Sequence, residues 1–173
     1  MNATSWAERS ALGGETETFA AAAEAYLDDV YAYLLYLTGD QSVAEDLTQE
    51  TFEKAQRRWR RFDRRRGEAR TWLCQLARSS ALDHFRGERR RRRREERVAV
   101  PERHEARFGL GLSAELEQAL ATLSAGEREV VALRVVLDLD GESAARLLGI
   151  TPTACSTRLS RALRKLEEMV TGE

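Results

Sequence analysis

From Thr18 onward the apolar residues recur at three- and four-residue steps. Phe19, Ala23, Tyr26, Leu27, Val30, Tyr31, Leu34 and Leu37 trace one stripe, which predicts an amphipathic helix. Thr38-Gly39-Asp40 breaks the run, with Gly39 suited to a left-handed helix end and Asp40 to the next N-cap. A second helix is predicted from about Gln41 to Trp59, with Val43, Ala44, Leu47, Thr51 and Ala55 facing inward. RRFDRRRGE reads as a loop. A third helix follows over about Ala69 to Arg86, with Trp72, Leu73, Leu76, Leu82 and Phe85 apolar. Residues 88–112 hold no apolar period, and Pro101, Gly109 and Gly111 interrupt them, so they read as a linker. Four helices are then predicted at about 114–122, 125–137, 141–148 and 152–170. Ser113 is a cap-like start for the first of these, and Ser124 to Glu127 has capping-box spacing for the second. In Gly149-Ile150-Thr151-Pro152, Gly closes one helix, Thr caps the next and Pro takes its first position.

The pattern predicts an all-α chain of two small helical domains. A loose tail covers 1–17, the first domain 18–87, a flexible linker 88–112 and the second domain 113–171. The two units are expected to pack loosely or to move about the linker. With 42% hydrophobic and 33% charged residues, a core can form beneath a highly charged surface. No apolar run approaches the roughly 18 residues of a membrane span, so no membrane insertion is expected. The N-terminus lacks a basic start followed by an apolar stretch, so no signal peptide is indicated. Cys74 and Cys155 are isolated and far apart, which suggests neither a disulfide nor a zinc site. No cofactor is implied, and a reducing cytoplasm is the expected compartment.

The net charge of −1 hides a strong segregation. Residues 1–56 hold eleven acidic and two basic residues, a net of −9. Residues 57–97 hold seventeen arginines and six acids, a net of +11. Residues 98–173 return to −3, with nine basic and twelve acidic residues. The basic block suits a polyanion, whose counterions it would release; the plain alternative is a solvated arginine-rich surface.

Three segments carry candidate chemistry. The first is LDGESAARLLGITPTACSTRLSRA, residues 139–162, which has the helix, turn and helix of a DNA-reading unit. Ala144, Ala145, Leu148, Ile150, Cys155 and Leu159 would pack the two helices together. Thr153, Ser156, Thr157, Arg158, Ser160 and Arg161 are left on or beside the outer face, where hydroxyls and guanidiniums can meet phosphates and base edges. The second is 57–86, where seven arginines between Arg57 and Arg66 interleave with Trp59 and Phe62, and Trp72 follows. Arginines with aromatics suit single-stranded DNA; the alternative is that the rings are core. The third is VAEDLTQETFEKA, where Asp46, Gln49, Glu50 and Glu53 surround Phe52 on the face opposite Leu47 and Thr51. It is either a docking surface for a basic protein partner or a solvated helix face.

Taken together, the chain resembles the extracytoplasmic-function sigma factors over roughly residues 18–171. LTGDQSVAEDLTQETFEKAQRRW and WLCQLARSSALDHFRGERRRR resemble the family's region two, and the stretch from Leu120 to Leu166 resembles region four. The resemblance implies a factor that binds core RNA polymerase and directs promoter-specific initiation. Asp46, Gln49, Glu50 and Phe52 would dock on the β′ clamp helices. Phe62, Arg65, Arg66, Arg70, Trp72, Arg78, Ser79, Asp83 and Arg86 would serve the minus-ten element, the loop from Phe62 to Arg70 capturing a flipped base. Thr153, Ser156, Thr157, Arg158, Ser160 and Arg161 would serve the minus-thirty-five element. The linker would thread toward the RNA exit path, and the β flap and an anti-sigma factor join the candidate partners. The chain departs from the family pattern at Ser79, where many members carry Asn, at Ser156, where many carry a basic residue, and at Gly141, where an aromatic is usual. Arg89 to Arg94 are six consecutive arginines, more than the family usually has, and suit either upstream phosphates or a solvated linker.

The alternatives are weaker on the residues. A stand-alone helix-turn-helix regulator needs a sensing or receiver domain, and residues 18–86 show neither alternating strands nor a phosphoacceptor pattern. An enzyme lacks its parts: His84 and His104 are the only histidines and have no catalytic or metal-ligand spacing, and there is no glycine-rich phosphate loop.

Overall fold

A computed structural model describes residues 18–95 and 114–171. The expected tail, Ser113 and the part of the linker that holds His104 lie outside the described residues. Seven α-helices follow one another there: α1 Phe19–Thr38, α2 Gln41–Arg58, α3 Ala69–Glu95, α4 Ala114–Thr122, α5 Ala125–Val131, α6 Gly141–Leu148 and α7 Pro152–Thr171. Short 3-10 turns at Trp59–Arg61 and Arg64–Arg66 link α2 to α3, and a π turn at Ala132–Val136 prolongs α5.

The helix boundaries follow from local chemistry. Thr18 caps α1 by accepting from the Ala21 N–H at 3.2 Å, and Gly39 ends it in the left-handed conformation with φ 66°. Asp40 then caps α2 through the Val43 N–H at 3.0 Å. Asp140 accepts from the N–H groups of Glu142 and Ser143, both at 2.9 Å, and so holds the start of α6. Those bonds, with the Ser143 side-chain contact foremost, keep its carboxyl below the usual range. Gly141 opens α6 with open space where a Cβ would stand and no positive φ. Gly141→Ala is therefore expected to stabilise the fold by about 0.4–1 kcal/mol, read in chemical unfolding; a destabilised variant would refute this.

Two differences from the expected elements stand out. The third helix does not stop near Arg86 but continues through the arginine run to Glu95. Arginine is a strong helix former, and cations in a last turn complement the helix dipole, so no apolar period is needed there. The helix expected over 125–137 turns into a π segment, where the Leu137 N–H reaches the Ala132 carbonyl at 2.9 Å. Asp138 follows with φ 48°, the left-handed region.

The first three helices pack as a bundle around Val30, Leu34, Leu47, Ala55, Leu73 and Ala77, all buried. Each fully buried Leu contributes about 1.5–3 kcal/mol of transfer free energy. Thr48 and Thr51 are buried, and each donates its hydroxyl back to the helix, to Ala44 and Leu47, at 2.7 Å. A second cluster of Leu120, Leu123, Val131 and Ala162 seats α4 and α5 on α7. The expectation of loosely packed units is corrected: Leu133, Leu137, Leu147 and Leu148 join the same buried cluster as Leu34 and Leu73. The apolar surface that α1 leaves over after packing α2 and α3 is covered by α5 and the π turn that prolongs it. Cys74 and Cys155 are both buried and unpaired, and burial pushes the Cys74 thiol up to about 12.

Candidate nucleic-acid interface

The helix-turn-helix is α6, the Gly149 turn and α7. Gly149 takes φ 65°, and the Thr151 hydroxyl accepts from the Ala154 N–H at 3.2 Å. Ala144, Ala145, Leu148 and Cys155 are buried between the helices, with Ile150 and Leu159 partly so. Thr153, Ser156, Thr157, Ser160 and Arg161 are all exposed. Arg158 is half-buried instead, its guanidinium lying over Gly126, where an added Cβ would sit 3.3 Å away. It lines a groove between the start of α5 and the start of α7 together with Ser124, Thr153, Thr157 and Arg161. The groove's edge is held by Glu127, which accepts the Ser124 N–H at 2.9 Å and Lys165 Nζ at 2.6 Å. The Lys165 bond, with the Ser124 contacts behind it, holds the Glu127 carboxyl down to about 2.

The arginine-aromatic segment forms a different surface. Trp59 stacks on Phe62 with centroids 4.9 Å apart, and Trp72 closes on Phe62 at 5.3 Å and on Trp59 at 5.8 Å. Phe19 adds a fourth ring, edge-on to Trp59 at 5.7 Å. All four are half-buried, so the rings are neither sealed core nor free platforms. Arg65 is exposed, on a turn held by the Asp63 carboxylate at 2.9 Å from its N–H. Arg70 is turned inward, its Nε 2.7 Å from Asp29 on α1, with 18% of the side chain exposed.

Further along α3, Gln75, Arg78, Ser79, Leu82 and Arg86 line a cleft whose opposite side is Leu147 of α6. Arg78 does not face solvent alone: its Nε donates to Glu129 of α5 at 2.7 Å. The Tyr33 hydroxyl of α1 donates to the same carboxylate at 3.0 Å. Three helices thus meet at one buried carboxylate, a contact that sequence spacing does not reveal. Asp83 and Arg86 pair with each other at 3.1 Å on the exposed side.

On α2, Asp46 and Gln49 are exposed, and Gln49 Nε2 donates to Glu53 at 3.1 Å. Glu50 pairs with Lys54, and Lys54 also donates to the buried Ser80 of α3 at 3.0 Å. Phe52 is half-buried and borders a shallow apolar groove with Phe19 and Leu27, the latter 47% exposed. Among the described residues no group of three or more His, Cys, Asp or Glu is arranged to hold a metal ion. No helix among them is long and apolar enough to cross a membrane.

Two known protein families match the two halves of the chain, Sigma-70 region 2 over residues 22–91 and Sigma-70 region 4 over residues 113–166. The chain is also 35% identical over 158 residues to the extracytoplasmic-function sigma factor SigC of Mycobacterium tuberculosis, covering 88% of this chain and 83% of that protein. The chain belongs to the extracytoplasmic-function sigma factors. This sigma factor is 32% identical over 170 residues to BldN of Streptomyces coelicolor, and that match spans 92% of the chain but 63% of BldN. Its fold is similar to that of the Bartonella quintana sigma factor RpoE, solved with the anti-sigma factor NepR. The TM-score is 0.77 and the identity 25%, over 90% of this chain and 98% of that one. As a sigma factor the protein serves promoter-specific transcription initiation, and the stand-alone regulator that a helix-turn-helix by itself would allow falls away.

Proposed function

We propose that this sigma factor docks core RNA polymerase with the acidic face of α2, opens and reads the minus-ten element with α3 and the loop before it, and reads the minus-thirty-five element with α7. The observation that carries the reading is the joint presence, in one chain, of an exposed acidic helix, a half-exposed aromatic-arginine cluster and an exposed recognition face. The factor would turn over no substrate, and its compartment would be the cytoplasm, where polymerase works. Run-off transcription with core enzyme tests it. The expected result is promoter-dependent product from a genomic promoter pool, and no product above core alone would overturn the reading.

Asp46, Gln49, Glu50 and Phe52 form the polymerase-facing set. Asp46 and Gln49 meet the partner directly, while Glu50 acts from its pair with Lys54. Phe62 and Trp72 supply ring faces for an unstacked base, with Arg65 and Arg66 on the backbone. Arg70 contributes by bracing the loop on Asp29. Arg78, Ser79, Asp83 and Arg86 follow on α3, with Ser79, Asp83 and Arg86 exposed and Arg78 held by Glu129. The β flap and an anti-sigma factor complete the partners; the antagonist bound to the Bartonella relative supports the latter.

On α7, Ser156 and Ser160 lie at the centre of the exposed face, flanked by Thr153, Thr157 and Arg161, with Arg158 at its edge. Arg158→Ala is expected to weaken minus-thirty-five binding by about 1–3 kcal/mol in a way that depends on base sequence. Affinities measured across single-base variants of the element check this, and a uniform loss would assign Arg158 to a phosphate.

A further inference from the structure

The segment between α2 and α3 is supported by α1 on both sides. Trp72 stands on the first turn of α3, and the leading N–H groups of a helix lack intrahelical partners, so such turns fray readily. Arg70 pins that turn: its Nε donates to Asp29 Oδ2 on α1 at 2.7 Å. The pair is more than a surface contact. Arg70 keeps 18% of its side chain exposed and Asp29 33%, and Cys74, one turn further along the same face of α3, is fully buried. A charge-assisted bond of this kind is short and directional.

On the other side, Phe19 meets Trp59 edge-on at 5.7 Å, and Trp59 stacks on Phe62 at 4.9 Å. Phe62 in turn meets Trp72 at 5.3 Å, so the two supports converge on one pair of rings. Phe19 and Asp29 stand ten residues apart, about 15 Å along α1, and one helix carries both. Phe62 follows a 3-10 turn and Trp72 opens α3, so they lie on separate segments, and α1 gives them a common frame. Taking a base out of the duplex is costly, and a site recovers more of that cost when its rings already stand where the base arrives.

We propose that α1 positions the minus-ten site: Asp29 through Arg70, and Phe19 through Trp59, hold Phe62 and Trp72 at the spacing that accepts an unstacked base. Both are positioning residues, acting through their neighbours and not on DNA. The inference rests on the reading of Phe62 and Trp72 as the ring faces for that base. The geometry disfavours the opposite role, in which Asp29 stands in for a phosphate and keeps Arg70 in reserve for DNA. A guanidinium kept for DNA would present itself to solvent, whereas Arg70 is largely covered.

The test uses holoenzyme assembled from core polymerase and the full chain, as wild type, Asp29→Ala, Asp29→Glu and Phe19→Leu. Alanine and leucine are good helix formers, and circular dichroism checks that each variant is folded. Affinities are measured for promoter forks in which the minus-ten bases are replaced one at a time by an abasic site. The intact-to-abasic ratio at the most sensitive position reads capture of that base, and stacking on a ring is worth on the order of 10-fold per base. Asp29→Ala is expected to lower the ratio by about 5-fold, a large part of that stacking contribution. Phe19→Leu should lower it by a smaller factor, and Asp29→Glu should restore most of it, because a carboxylate again meets Arg70. Core affinity of the Asp29 variants should stay at the wild-type value. Loss of a negative charge raises affinity for intact and abasic forks alike and leaves the ratio alone, as does a merely structural role. A ratio unchanged in Asp29→Ala and Phe19→Leu overturns the positioning role, and a general rise in fork affinity beside it would make Asp29 a stand-in for phosphate. If Asp29→Ala does not fold, Phe19→Leu decides. If wild-type holoenzyme shows no ratio above one at any position, the minus-ten reading itself fails and the positioning role falls with it.

Discussion

Asp46→Arg is expected to keep the fold and lose core polymerase, with affinity falling by roughly 100-fold or more. Asp46 is exposed at the centre of the acidic face of α2. Placing a cation where a basic partner docks replaces attraction by repulsion and leaves the partner's charge desolvated, which costs about 2–5 kcal/mol in comparable interfaces. A factor of 100 corresponds to about 2.7 kcal/mol, within that range. Glu50→Arg is the less clean choice for the same face. Glu50 pairs with Lys54, which in turn holds the buried Ser80, so a second cation there would push on the seam between α2 and α3. Titration of labelled core with both variants, beside their unfolding curves, separates the effects. Wild-type affinity for Asp46→Arg would remove α2 from the docking interface.

Glu129→Ala is expected to lower stability by about 2–4 kcal/mol and to loosen the contact between the two halves of the chain. Glu129 is buried and accepts from Tyr33 of α1 and Arg78 of α3. Removing it leaves a buried phenol and a largely covered guanidinium without their acceptor, and unpaired buried groups are costly. Arg78 is partly exposed, at 27% of its side chain, so some of that cost returns through hydration. The Tyr33 hydroxyl is held well above its ordinary value by burial first and by Glu129 second, in keeping with a dry contact. Urea unfolding followed by tryptophan fluorescence and by circular dichroism is the check, together with the radius of gyration. A loss below about 1 kcal/mol with unchanged dimensions would refute the expectation.

Most of the helical framework was legible because its signals are local. Gly39 with Asp40, Ser124 with Glu127, and Gly149 with Thr151 and Pro152 each set a boundary through neighbours three or four residues away. The exposed face of α7 was legible for the same reason, since period 3.6 separates Cys155 and Leu159 from Ser156 and Ser160. The end of α3 was not, because arginines sustain a helix without leaving an apolar period. The joining of Tyr33, Arg78 and Glu129 was not legible either. These residues are far apart in sequence, each looks like an ordinary surface side chain, and only the packing of α1 against α5 turns them inward. Arg70 and Arg158 show the smaller form of the same limit: residue type and face suggested free guanidiniums, yet one turns to Asp29 and the other lies over Gly126.

The two native cysteines are sealed inside the helical units, Cys74 against α1 and Cys155 on the face of α7 that packs on α6. A thiol shielded in this way is slow toward maleimides. Dyes can therefore be attached at new surface cysteines, one on each side of the cleft beside Leu147, without first removing the native pair. Energy transfer between them would report, molecule by molecule, how often the halves part and whether core polymerase or DNA changes that frequency.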